Sequence, residues 1–315
     1  MEEIKEKVEK FSYSKIDLYG QCGFKYKLKY VDGNYIAFNN VATEVGTLVH
    51  ATEETIGNLL KENKAIDYIS LKNNFIIKIN EIEHKYPDEF MALDKAGKTY
   101  KDKVFEYLDK GIYRLETFIK ENPNYEVFGT EIEFNFDYNE KYMFHGFIDR
   151  VFRDKYTGHY LVQDIKTYAV PVENSHLTTP LQFVVYTLAL NKQYSIPFEH
   201  ISCQYDLPFC NIRQDAGTKG YVARGIAKLE KLFAQIEAKD FAPNPTPLCA
   251  WCEFSRTSEF GQQPGNEKYN LCPYYSHWTR QNKNFSKENE WIGLENHEIV
   301  MESFNKKYNL SPKKE

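Results

Sequence analysis

Asp164-Ile165-Lys166 sets a carboxylate and an ammonium two residues apart. In a strand both side chains leave the same face, while Ile165 points to the other. Asp149 closes a second apolar run upstream, in GFIDRVF. If the two runs are the arms of a hairpin, two carboxylates and one ammonium converge at one edge of it. That set suits a hard divalent cation together with a positive group that steadies a nucleophile or a developing anion. Taken alone, Asp164 and Lys166 are better accounted for as a surface ion pair, worth about 0–1 kcal/mol, so their partners elsewhere in the chain decide the matter.

The first candidate partner is His50, on a polar, small-residue side (Gly46, His50, Glu53, Gly57) of an otherwise apolar helical segment. Glu53 and Glu54 follow one turn later, either as hydrogen-bond partners of the imidazole or as solvated helix charges. Gln182 and Tyr186 are four apart on a segment with few other polar groups. An unsatisfied buried Gln costs about 1–3 kcal/mol. The pair therefore either satisfies nearby backbone or faces the carboxylates and touches substrate. Cys249 and Cys252 have a metal-chelating spacing; Cys272 offers a third thiolate and Cys22 a fourth. Zinc and an iron–sulfur cluster both accept four sulfurs. Cys203 and Cys210 read as buried structural thiols in a strand around Asp206.

Regular elements must hold these groups. Phe147, Ile148, Val151 and Phe152 form one strand and Tyr160, Leu161, Val162 and Ile165 the next, with Lys155 to Gly158 as the turn. Ahead of them, 125–138 alternates, with Glu131, Glu133, Asn135 and Asp137 on one side. Helices are expected over 44–63, with Val45, Leu48, Val49, Ile56, Leu59 and Leu60 at helical spacing, through much of 64–124 and most clearly over 100–121, over 180–191 and over 221–239. Pro180 stands at a first-turn position, either Ser12 or Ser14 could cap a helix, and Ser14 with Asp17 resembles a capping box. A further strand is expected over 199–208, and residues 1–10 read as a solvated helical lead-in. The order helix, three strands, helix, strand indicates an α/β core with a mixed sheet.

At 315 residues, the chain has room for one large domain or two modest ones. Its net charge of −5 excludes a general polyanion binder; nucleic-acid contact needs a local basic patch, such as Lys25, Lys27 and Lys29, or a metal. Aromatic residues make up 16%, enough for a well-filled core and for base-stacking surfaces. No apolar run reaches the length of a membrane span and MEEIKEKVEK is not a secretory signal, so a cytoplasmic location is expected and the six cysteines read as ligands or thiols, not disulfides.

In this order the motifs resemble the PD-(D/E)XK nuclease superfamily, and within it the RecB-like exonucleases, including AddB-type and CRISPR-adaptation nucleases that carry an iron–sulfur cluster. FSYSKIDLYGQCGFKYKLKY resembles the opening helix with its first cluster cysteine, Cys22; GTLVH ends in His50; GFIDR carries Asp149; DIKT carries Asp164 and Lys166; QFVVY matches the Gln-x-x-x-Tyr motif; CAWC and Cys272 resemble the later cluster ligands. Ile148 stands where the superfamily's name has proline, Gly23 follows Cys22 where proline is usual, and the interval from Cys252 to Cys272 is long for the family.

The resemblance implies a restriction-endonuclease-like core, a mixed sheet flanked by helices, with a helical insertion at 64–124 and a cysteine-ligated clasp joining the end segments. Its divisions are 1–43, 44–240, 241–279 and a charged tail, 280–315. It implies Mg²⁺ or Mn²⁺ on His50, Asp149, Asp164 and the Ile165 carbonyl, with Lys166, Gln182 and Tyr186 serving catalysis. It also implies a [4Fe–4S] cluster, or Zn²⁺, on Cys22, Cys249, Cys252 and Cys272. The implied activity is hydrolysis of DNA, as an exonuclease at single-stranded ends in recombination, repair or replication. The location would be cytoplasmic and nucleoid-associated, with a helicase or recombination protein as partner and no membrane. A degenerate nuclease fold that binds DNA ends or a helicase without cleaving is the alternative.

Overall fold

A computed structural model describes residues 8–35, 39–94, 96–168, 170–244, 246, 249, 252–255, 271 and 272. In chain order its elements are β1 (Glu9–Phe11), α1 (Tyr13–Gln21), α2 (Gly23–Tyr26), α3 (Val41–Lys61), α4 (Tyr68–Lys85), α5 (Pro87–Met91), α6 (Tyr100–Asp109) and α7 (Arg114–Glu121). There follow β2 (Tyr125–Asp137), β3 (Tyr142–Asp154), β4 (Tyr160–Ile165), α8 (Asn174–Leu177), α9 (Leu181–Tyr194), β5 (Ile201–Leu207), β6 (Ile212–Ala216) and α10 (Tyr221–Glu237). They divide between two compact units, one within Met1–Tyr13 and Asn39–Ala227, the other within Ser14–Phe38 and Lys228–Glu315.

The first unit is built on a six-stranded mixed sheet. β2 and β3 form a long antiparallel hairpin that occupies one edge of β3. On its other edge β3 pairs with β1 in parallel through 142–144 and with β4 in antiparallel fashion through 150–153. β1 and β4 therefore share an edge, and residues 145–149 between them have no strand partner there among the described residues. β4 then pairs in parallel with β5, and β5 in antiparallel fashion with β6. The β3–β4 turn is held by Asp154, whose Oδ1 accepts the N–H groups of Tyr156 (2.8 Å) and Thr157 (2.9 Å) and whose Oδ2 accepts from Asn124 Nδ2 (2.6 Å). Gly158 takes the left-handed φ of 68° that closes it.

One sheet face packs on α3 and the helical arm. Val41, Val45, Val49 and Ile56 of α3 meet Phe75 and Ile79 of α4, Leu115 and Phe118 of α7, and Phe152, Leu161 and Ile165 of the sheet. α3 starts three residues earlier than its apolar period suggests, because Asn40 and Thr43 form a reciprocal cap: Asn40 Oδ1 accepts from Thr43 N (2.9 Å) and Thr43 Oγ1 from Asn40 N (3.0 Å). Residues 64–124 are largely helical as expected, but 100–121 is not one helix. It breaks at Gly111, where a Cβ would strike the Tyr107 ring.

The other face holds α9, buried continuously from Leu181 to Leu190 as its all-round apolar sequence requires. Pro180 precedes this helix at its N-cap position. Other boundaries moved too. Glu9–Phe11 is a strand where a helical lead-in was expected, and β6 was not expected at all. Both are short edge strands whose pairing comes from a neighbour rather than from their own pattern. α1 starts at Tyr13, which puts Ser12, one of the two expected caps, before its first residue and Ser14 inside the helix, so Ser14 and Asp17 do not form a capping box. Cys203 is buried in β5, but Cys210 is only half-buried in the turn after it, its Sγ donating to the Tyr168 carbonyl at 3.1 Å.

In the second unit Tyr19 donates its hydroxyl to the Asp240 carbonyl (2.6 Å) and packs edge-on against Tyr26 and Phe241. Expectations for 280–315 and most of 256–279 lie outside the described residues. Among the described residues no helix is long and apolar enough to cross a membrane.

Candidate active site

The site residues lie where β3 has no strand partner on its β1/β4 edge among the described residues. Register places Arg150 opposite Gln163; one step further puts Asp149 across from Asp164, on the same sheet face. Asp149 Oδ2 accepts the Ile165 N–H at 2.7 Å, so this carboxylate stands in for a missing ladder bond. His50, from α3, brings Nδ1 to 3.7 Å from Asp149 Oδ2, and the Ile165 backbone also hydrogen-bonds the imidazole. Lys166 lies just beyond β4, its Nζ 2.7 Å from Asp164 Oδ2. Its N–H is held by the Asp206 carbonyl at 2.9 Å. From the α9 side Gln182 Nε2 donates to Tyr186 Oη (2.8 Å), and that hydroxyl points to Asp164 Oδ1 at a long 3.5 Å. Gln182 and Tyr186 are both buried and reach the carboxylates through this chain.

Glu131 was not singled out from the sequence. Its Oε1 lies 4.0 Å from His50 Nδ1, and His50, Glu131 and Asp149 bring their ligand atoms within 4.8 Å of one another. Thr130 pairs with Arg150 and Ile132 with Ile148, which leaves Glu131 opposite Asp149. Its φ is 43°, a left-handed conformation that costs a non-glycine residue about 1–3 kcal/mol. The alternation of β2 placed Glu131 on a face with Glu133; only the register of the hairpin reveals that Asp149 is across from it. Asp164, fully buried, lies outside that trio but beside it, sharing the face with Asp149.

The electrostatics follow from three carboxylates crowded away from water. Burial, then Asp149, Glu54 and Asp164, pushes Glu131 up to about 7. Burial, reinforced by Asp149 and offset by Lys166, pushes Asp164 up to about 6. Burial also raises Asp149 and lowers His50. For Lys166, burial opposes the charge, but Asp164 and Asp149 outweigh it and raise its pKa. An oxygen-rich donor set with one imidazole and too little positive charge fits a hard divalent cation such as Mg²⁺ or Mn²⁺.

Glu53, one of two acidic residues one turn beyond His50, is not a solvated charge. It is 3% exposed, with Oε2 paired to Arg150 Nη1 (3.1 Å) and Oε1 accepting from Tyr107 Oη (3.0 Å).

In the second unit Cys22, Cys249, Cys252 and Cys272 line one cavity, together with Lys25, Asn244 and Phe254. Backbone N–H groups point at the sulfurs. Cys22 Sγ accepts from Lys25 N (3.5 Å) and Asn244 N (3.4 Å), and Cys249 Sγ from Thr246 N (3.4 Å). Such donors favour thiolate. Burial acts the other way on two of the cysteines, raising the Cys249 thiol and pushing Cys252 up to about 11. Among the described residues no three of these sulfurs come within 4.8 Å of one another.

A family model described as the PD-(D/E)XK nuclease superfamily matches residues 10–257. The chain belongs to that superfamily. Comparison with curated proteins finds no match. Among solved structures, a candidate exonuclease from Eubacterium rectale superposes with a TM-score of 0.43 at 12% identity, over 82% of this chain and 94% of that one. The structure of SSO0001 gives 0.29 at 16% identity, over 78% and 95%. As a superfamily member the chain is a nuclease by family.

Proposed function

We propose that this nuclease is a Mg²⁺- or Mn²⁺-dependent deoxyribonuclease that hydrolyses phosphodiester bonds as an exonuclease at single-stranded DNA ends. The observation that carries the reading is the meeting of His50, Glu131 and Asp149 within 4.8 Å beside the 2.7 Å Lys166–Asp164 pair. His50, Glu131, Asp149 and Asp164, with the Ile165 carbonyl, would hold the cation, which supplies charge neutralisation at the scissile phosphate and acidifies water. Lys166, anchored through its own backbone and held charged by two carboxylates, orients the attacking water or neutralises charge in the transition state. Asp164 keeps the ammonium in place, and Tyr186 with Gln182 braces Asp164 from behind. Locally this reverses the sign that a chain of net charge −5 presents to DNA.

Single strands are supported by two aromatic rings. Phe147, two residues before Asp149, is 53% exposed, and Tyr168, two after Lys166, is 49% exposed. Exposed rings beside a hydrolytic centre offer stacking faces that unpaired bases can use, worth about 1–3 kcal/mol each. End-labelled and circular DNA, single- and double-stranded, incubated with Mg²⁺ or Mn²⁺, test the whole reading. Release of nucleotides from linear single strands alone is expected; cutting of circles would overturn the exonuclease assignment, and no cleavage of any substrate the nuclease one. Recombination or repair, with a helicase as partner, is the expected setting.

We also propose that Cys22, Cys249, Cys252 and Cys272 hold a [4Fe–4S] cluster. Four thiols that line one cavity, with backbone N–H groups aimed at two of the sulfurs, support a thiolate-held group there, which would brace the segments that carry them. Anaerobic purification should give a brown protein whose visible absorption is lost in Cys249→Ser. A colourless protein with stoichiometric zinc would reject the cluster.

A further inference from the structure

On the sheet face opposite Asp149 and Asp164, a charged group is sealed in the core. Arg150 is 1% exposed and Gln163 0%, while Glu53 and Asp206 are each 3% exposed. The guanidinium engages three partners. Nη1 donates to Glu53 Oε2 (3.1 Å), Nη2 to Asp206 Oδ2 (2.7 Å), and Nε and Nη2 both donate to Gln163 Oε1 (3.0 and 2.8 Å). Asp206 is held from its other side by Arg114 Nη2 at 2.6 Å.

Each member is bonded to a site residue or lies one helical turn from it. Glu53 is one turn after His50 on α3. Arg150 follows Asp149 on β3, and Gln163 precedes Asp164 on β4. The Asp206 carbonyl on β5 accepts the Lys166 N–H at 2.9 Å. One guanidinium thus links α3, β3 and β4, which carry the imidazole and the two aspartates, to β5, whose Asp206 carbonyl holds the Lys166 N–H.

We propose that Arg150, through Glu53, Gln163 and Asp206, is a positioning residue that sets the spacing of the metal ligands and Lys166. The inference rests on the nuclease reading of that site. Stability alone gives a poor reason for such a group, since buried ion networks are often replaced by apolar side chains without loss. A planar fork serving three acceptors in fixed directions is what spacing requires, and Lys cannot reproduce it.

The test is Mn²⁺ binding to the full chain by calorimetry, paired with thermal melting and with kcat and KM on single-stranded DNA. Arg150→Lys should weaken Mn²⁺ binding about tenfold or more, in line with outer partners of metal ligands, and lower kcat more than KM. Glu53→Gln keeps the shape and a bond to Tyr107 while removing one charge, and should shift Mn²⁺ affinity the same way; it carries the test should Arg150→Lys fail to fold. Ile79→Val, in the α4 core, should lower the melting temperature and leave Mn²⁺ affinity alone. Wild-type Mn²⁺ affinity in both Arg150→Lys and Glu53→Gln would overturn the inference. Absence of Mn²⁺ binding by the wild-type chain would overturn the nuclease reading and this inference with it.

Discussion

Lys166 and Asp164 meet at 2.7 Å with Asp164 sealed from solvent, so the ammonium is fixed by a carboxylate that has no water to turn to. A group held that way is pre-placed for the reaction and not recruited by substrate. Lys166→Ala should abolish cleavage, with a loss of about 10²–10³ or more in kcat as for other preorganised charge-stabilising groups. DNA binding, measured by fluorescence anisotropy in Ca²⁺, should change little. Cleavage at the wild-type rate would remove Lys166 from the chemistry.

Glu131 provides a second, separable test. Its carboxylate joins His50 and Asp149 from a left-handed position in β2. Glu131→Gln should reduce Mn²⁺ affinity measured by calorimetry about tenfold, within the range for removing one oxygen ligand's charge from a site. Glu131→Gly should relieve the backbone cost while losing the ligand, so its melting temperature should exceed that of Glu131→Gln even as metal binding falls.

Acid stability should depend on Asp154. Hydrogen bonds from Thr157, Asn124 and Tyr156 hold its pKa at about 2, against about 3.9 in an unfolded chain. The stabilisation is complete above about pH 4 and is lost as pH falls towards 2. Asp154→Asn should lower the melting temperature at pH 7 and flatten its dependence between pH 4 and 2, followed by circular dichroism. An unaltered acid limb would show that the turn does not carry this term.

The close approach of α10 to α9 is set by Gly225. A Cβ there would run into the Val184 side chain, which is fully buried. Gly225→Ala should destabilise by about 1–3 kcal/mol, as overpacking does, despite alanine's better helix propensity, and Gly225→Ala with Val184→Ala should recover part of the loss. Denaturant melts of the two variants measure both effects.

Most of this site could be read from sequence because its residues sit in strong local patterns. Asp149 and Asp164 close apolar strand runs, Lys166 is two from Asp164, and Gln182 and Tyr186 share a helix face; the structure puts all five with His50 in one place. Glu131 was legible only as an alternating strand residue, since its role depends on which residue lies across the hairpin. Glu53 looked like a helix surface charge because its partner Arg150 is 97 residues away. β1 and β6 were missed for a related reason: a short edge strand is specified by the strand beside it. The cysteine set followed from the spacing of Cys249 and Cys252, and Cys22 joins their cavity from a distant part of the chain.

Because β1 and β4 share one edge of β3 and leave 145–149 between them, the strand is paired on both edges at its ends and on the β2 edge alone in its middle. Deuterium should enter the amides that face this opening well before those locked to β2. Asp149 would then sit on a stretch of β3 whose free edge stays open for a further chain to come alongside.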